Sequence, residues 1–186
     1  FKKKLALKIH NRYRANEKKI HQLNYIFWEC TLRCNLNCIH CGSDCMKDSS
    51  IKDMPREDFF KALDEITPII SPHKTMIVLT GGEPVLRKDI SEIGAELYKR
   101  GFPWGVVSNG MGMQEPMIAK LLQSGIRAIT ISLDGLEDSH NWLRGNKHSF
   151  KNAINAISIL SKTEGLRYDV VTCAHQKNIA ELPDLY

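Results

Sequence analysis

"NYIFWECTLRCNLNCIHC", Asn24 to Cys41, joins a short apolar run to a loop that holds Cys34, Cys38 and Cys41. The run from Asn24 to Thr31 has the length and the aromatic and β-branched content of a buried strand. Four more runs share that character: Thr75 to Gly82, Trp104 to Gly110, Ala128 to Gly135 and Tyr168 to His175. Helical patterns lie between them. Pro55 suits the first turn of one that carries Phe59, Phe60, Leu63 and Ile66. Asp89 can cap a second, with Ile90, Ile93 and Leu97, which Gly101 stops. Met117, Ile118, Leu121 and Leu122 mark a third, ending at Gly125. Phe150, Ala153, Ile154, Ile157 and Leu160 mark a fourth, ending at Gly165, and "NIAELPDLY" opens a fifth. Strict alternation of strand and helix predicts an α/β fold with parallel strands. In such folds the site gathers at the C-terminal strand ends. Polar residues collect there: the cysteines after the first strand, Gly81 to Pro84 after the second, Ser108 and Asn109 after the third, and Ser132 and Asp134 at the fourth.

The bulk numbers narrow the rest. A chain of 186 residues, 42% hydrophobic and 25% charged, reads as one ordinary soluble domain. A domain of that size buries roughly 70% of its unfolded surface and needs no disulfide staples. No signal peptide is visible and no apolar run approaches the roughly 20 residues that cross a bilayer, so a reducing cytoplasmic protein without a membrane span is expected. The net charge of +5 is uneven: residues 1 to 20 carry +7 and the remainder −2. The boundary falls near residue 22, with a basic arm over 1–22 and the body over 23–186. The arm reads as a solvated helix whose Leu5, Ile9 and Tyr13 lie against the body. Nucleic acid is not expected as a partner.

Cys30 to Cys45 puts five of the six cysteines into sixteen positions. A structural zinc usually takes two short cysteine pairs separated by a longer loop, and no such loop is present. Three thiolates on a tight loop can instead hold three corners of an iron–sulfur cubane and leave its fourth iron open. Cys30, inside the first strand, and Cys45 read as structural. Cys173 reads as a packed thiol on the fifth strand.

The C-x3-C-x2-C triplet in "CNLNCIHC", followed by "TGGEP" (Thr80 to Pro84), resembles the radical S-adenosylmethionine (SAM) superfamily, in its branch that modifies peptides and matures cofactors. The resemblance covers about residues 24 to 186. It implies an incomplete parallel βα barrel, five βα units of a six-unit core, in a chain that is the N-terminal portion of something longer. It implies a [4Fe-4S] cluster on Cys34, Cys38 and Cys41. It also implies S-adenosyl-L-methionine bound with its amino group at Gly81, Gly82 and Glu83 and its adenine at the backbone of His40, where relatives carry Tyr or Phe. Ser132 would contact ribose or carboxylate, and Arg144 would pair with the methionine carboxylate through its planar fork of donors. Ser108 and Asn109 would line the same pocket. The implied reaction is reductive cleavage of SAM to a 5′-deoxyadenosyl radical that takes hydrogen from a peptide or small-molecule substrate. An electron donor such as a flavodoxin or ferredoxin would supply the electron. Two alternatives stay open: a radical SAM enzyme of cofactor biosynthesis, and a non-catalytic zinc module whose basic arm binds nucleic acid.

Overall fold

The computed structural model describes residues 2–20, 22–46 and 49–185. Five strands form one parallel sheet in chain order: β1 (Tyr25–Thr31), β2 (Met76–Gly81), β3 (Trp104–Ser108), β4 (Ala128–Ser132) and β5 (Arg167–Val171). Between them run α2 (Arg56–Ile66), α3 (Ile90–Lys99), α4 (Glu115–Gln123), α5 (Glu137–Arg144) and α6 (Ser149–Leu160). α1 (Lys2–Ile20) precedes β1, and the short α7 (Leu182–Leu185) follows β5. This is the α/β, partial-barrel arrangement that the alternating pattern and the resemblance imply.

One face of the sheet builds the core. Trp28, Ile77, Leu79, Val106, Ile129 and Ile131 are buried there against Phe59, Leu63, Ile93, Leu97 and Leu121 of the helices. Each such side chain contributes about 1.5–3 kcal/mol. Trp28 stacks on Phe59 with ring centroids 3.8 Å apart. Gly94 lets α3 lie directly on Trp104, because a Cβ there would collide with the indole ring.

The opposite face differs from the buried strands that the sequence suggests. Tyr25 and Phe27 are 57% and 65% exposed, and their side chains alternate with buried Trp28 and Cys30 along β1. An open cavity of about 650 Å³ lies on this face near the N-terminal halves of the strands, lined by Phe27, Val78, Val107, Thr130 and Tyr168 among others.

α5 is a helix that the sequence pattern does not mark, and Arg144 stands in its last turn, capped by left-handed Gly145. Three local expectations are corrected. β5 stops at Val171, which places Cys173 beyond the strand, exposed. Asp89 sits at the N-cap of α3, yet its carboxylate pairs with Arg87 at 2.8 and 2.9 Å and caps no backbone N–H. α1 is helical, but Leu5, Ile9 and Tyr13 are 51%, 61% and 59% exposed; they do not pack on the body.

β1 also carries one residue more than β2 between Glu29 and Thr31, so Cys30 forms a bulge. The carbonyl of Cys30 accepts from buried Arg87 Nη1 at 2.6 Å, and Arg87 lies over the Trp28 ring.

Candidate cofactor site at the strand ends

The cysteine loop continues the β1–β2 pairing past the end of the sheet. Gly82 N–H donates to the Thr31 carbonyl at 2.7 Å and Glu83 N–H to the Arg33 carbonyl at 2.8 Å. A Cβ on Gly81 or Gly82 would run into the Thr31 or Arg33 backbone. The glycine pair is therefore needed to admit the cysteine loop, a steric reason separate from the close approach to a ligand that the sequence suggests.

Other bonds hold the loop from the sides. Cys34 N–H donates to the Met46 carbonyl (2.9 Å), and Ile39 N–H to the Leu143 carbonyl at the end of α5 (2.9 Å). Asp53 accepts from the Thr31 hydroxyl at 2.6 Å and pairs with Arg33.

All six cysteines are free thiols, which removes the disulfide reading. Cys34 is buried, Cys38 half-buried and Cys41 exposed. The Cys34 and Cys38 thiols are pushed up, first by burial, and each also feels a neighbouring cysteine: Cys34 feels Cys38, and Cys38 feels Cys41. The Arg144 charge draws Cys38 back down. Among the described residues no three His, Cys, Asp or Glu side chains are gathered around a single point for one metal ion. Cys30 and Cys45 rise to about 12, both mainly through burial, and so stay protonated at neutral pH.

The end of β3 and the end of α5 also reach the loop. Asn109, after β3, presents Nδ2 to Cys34 Sγ at 3.8 Å and to Asn35 Oδ1 at 2.8 Å. Arg144 presents Nη1 to Cys38 Sγ at 3.8 Å while its Nε donates to Asp134 Oδ2 at 2.6 Å. Asp134 is 1% exposed, so Arg144 is anchored by a buried partner.

Glu83 is fully buried and accepts from Ser108 Oγ (2.9 Å), Asn109 N–H (2.8 Å) and Val85 N–H (3.5 Å). Burial raises it to about 7 against the pull of those donors. Its carboxylate ties β2 to β3. Ser132 is buried at the end of β4. His40 is exposed on the loop, its pKa lowered by partial burial and then by the Arg144 charge. Gly81 to Glu83, Ser108, Asn109 and Cys34 thus form one hydrogen-bonded chain, and Arg144 joins Cys38 from the other side.

The sequence puts Asp134 at the fourth strand end but does not show that it anchors Arg144. It did not single out Arg87 or Asp53. The one usable signal was Asp134-Gly135 directly after a strand, ten residues before an arginine.

Comparison with known proteins gives the family. The model of the Radical SAM superfamily matches residues 28–186. The chain belongs to that superfamily. It is 27% identical over 184 residues to an Fe-coproporphyrin III synthase of Methanosarcina barkeri, covering 94% of this chain and 45% of that one. It is 25% identical over 162 residues to an AdoMet-dependent heme synthase of Nitratidesulfovibrio vulgaris, covering 87% and 43%. The crystal structure of Streptococcus suis SuiB bound to precursor peptide SuiA superposes with a TM-score of 0.68 at 17% identity, over 96% of this chain and 40% of that one. The same protein bound to S-adenosylmethionine gives 0.67 at 14% identity, over 96% and 41%. The chain therefore spans less than half the length of the curated relatives it matches. Membership makes it an enzyme core whose family cofactors are a [4Fe-4S] cluster and S-adenosylmethionine, and it sets aside the non-catalytic zinc module. No helix among the described residues is long and apolar enough to cross a membrane.

Proposed function

We propose that Cys34, Cys38 and Cys41 hold the cluster and that the rim of strand ends around them holds S-adenosylmethionine. The observation that carries this reading is the seating of the three-cysteine loop among polar groups at the ends of β2, β3 and β4, with Asn109 on Cys34 and Arg144 on Cys38. When bound, the cluster and SAM supply a one-electron cleavage of the sulfonium to a hydrogen-abstracting 5′-deoxyadenosyl radical.

The protein's own residues bind and orient. Gly81 and Gly82 fix the cysteine loop against β2. Glu83, being committed to Ser108 and Asn109, squares the β2 and β3 ends, so an ammonium at this segment would be met by its backbone carbonyls. Arg144, held at Nε by Asp134, keeps Nη2 available for a carboxylate. His40 and Ser132 complete the rim with the adenine-side and ribose-side contacts. A flavodoxin or ferredoxin would deliver the electron, in the cytoplasm.

For the substrate, the sequence relatives, named as coproporphyrin and heme synthases, support a cofactor precursor such as a porphyrin. The motif branch supports a peptide. Anaerobic reconstitution with iron and sulfide should load four irons per chain and, after reduction, release methionine and 5′-deoxyadenosine from SAM. Alanine at Cys34, Cys38 or Cys41 should abolish both. A colourless protein holding one zinc would end the reading. Deuterium transfer into 5′-deoxyadenosine from labelled iron-tetrapyrrole precursors or from a labelled peptide separates the two substrate classes.

A further inference from the structure

Two of the three loop sulfurs carry a side-chain N–H donor from another element, Asn109 after β3 and Arg144 at the end of α5, and both donors are locked in place. Asn109 is 7% exposed, and its Oδ1 accepts from Met111 N–H at 2.9 Å. That bond fixes the amide so that Nδ2, not Oδ1, faces Cys34 Sγ at 3.8 Å. Its own N–H is held by Glu83 at 2.8 Å. Arg144 reaches Cys38 Sγ at the same 3.8 Å, oriented by Asp134, which in turn accepts from Cys173 N–H at 2.9 Å. A buried amide and a half-buried guanidinium aimed at sulfur lower the cost of negative charge there. Hydrogen bonds to ligand sulfurs and nearby charge are among the main determinants of cluster reduction potential.

We infer that Asn109 and Arg144 set the reduction potential of the cluster through N–H···S bonds to Cys34 and Cys38, with Asp134 acting as a positioning residue through Arg144. The inference rests on the cluster reading above. Its logic is charge balance: one-electron reduction adds a negative charge that the thiolate sulfurs share, and each donor stabilises the reduced state more than the oxidised one. Removing a donor makes reduction harder. The two donors face the sulfurs of different cysteines, so losing both lowers the midpoint further than losing either one. Asp134→Asn keeps Arg144 but loosens its aim, and shifts the potential in the same direction by less than losing the guanidinium.

The test uses the full chain, reconstituted anaerobically and titrated with dithionite while the reduced cluster is followed by electron paramagnetic resonance. Asn109→Ala and Arg144→Gln should each keep four irons and shift the midpoint to a more negative value. The double variant should shift further than either single one. A second measurement needs no variant: wild-type protein labelled with heavy nitrogen in asparagine and arginine should show nitrogen couplings to the reduced cluster in pulsed resonance. Unchanged midpoints in iron-loaded variants, or no nitrogen coupling in the loaded wild type, overturn this inference alone. A wild type that takes up no iron overturns the cluster reading instead.

Discussion

The rim at the C-terminal strand ends and the open face near the N-terminal strand halves invert the usual rule in opposite ways. At the rim, charged and polar groups are buried: Glu83, Asp134, Asn109 and Arg87 are each 7% exposed or less. On the open face, large apolar groups stand in solvent, Phe27 and Tyr25 most of all. These four buried groups are all paired, and an unpaired buried charge costs several kcal/mol. The exposed apolar groups carry no such demand. The sheet thus has one end where every substitution should be felt and one face where few should be.

Three measurements sharpen or break that contrast. The largest effect belongs to Asp134→Ala, which strands the Arg144 guanidinium without its buried partner; a loss of about 3–5 kcal/mol in urea unfolding is expected. A loss under about 1 kcal/mol would mean that water reaches the pair and that the rim is not the rigid region described. The next effect reads through pH. Glu83 titrates at about 7 in the fold against 4.5 without it. Between those values the unfolded chain has released a proton that the folded one still holds, so stability falls as pH rises from 4.5 to 7 and levels off above. The drop should be roughly 3 kcal/mol, and Glu83→Gln should flatten it. The smallest effect is Phe27→Ser on the open face, expected within about 0.5 kcal/mol by the same unfolding assay. A cost above about 2 kcal/mol would show that something covers that face.

The strands were legible because Ile, Val and Thr runs of the right length recur between helical patterns. Their sidedness was not: "YIFWECT" alternates buried and exposed positions, but aromatic residues at Tyr25 and Phe27 hid the alternation. α5 escaped notice because its buried positions are Ser139, His140 and Leu143, and a polar face leaves no apolar period to count. Leu5, Ile9 and Tyr13 do share a helical face, yet periodicity says only that a face exists, not what it meets. At the site, the cysteine triplet and the Gly81 to Glu83 segment could be read because their spacing is local. The partners that hold them could not. Asp134 meets Arg144 across 10 positions, Asp53 meets Arg33 across 20, and Arg87 meets Cys30 across 57. Pairings at that range are set by the packed sheet and leave no trace in a short window.

The bulge at Cys30 bears on the count of residues rather than on their chemistry. Side chains along a strand switch sides at every step, so one added position reverses the phase of all that follows. Deleting Cys30 would turn the next segment over and send the three sulfurs to the wrong side of the sheet, whereas replacing it with another small apolar residue would leave their aim intact. What the protein requires at position 30 is an extra unit of length, with Arg87 closing the carbonyl it displaces; the sulfur there is incidental.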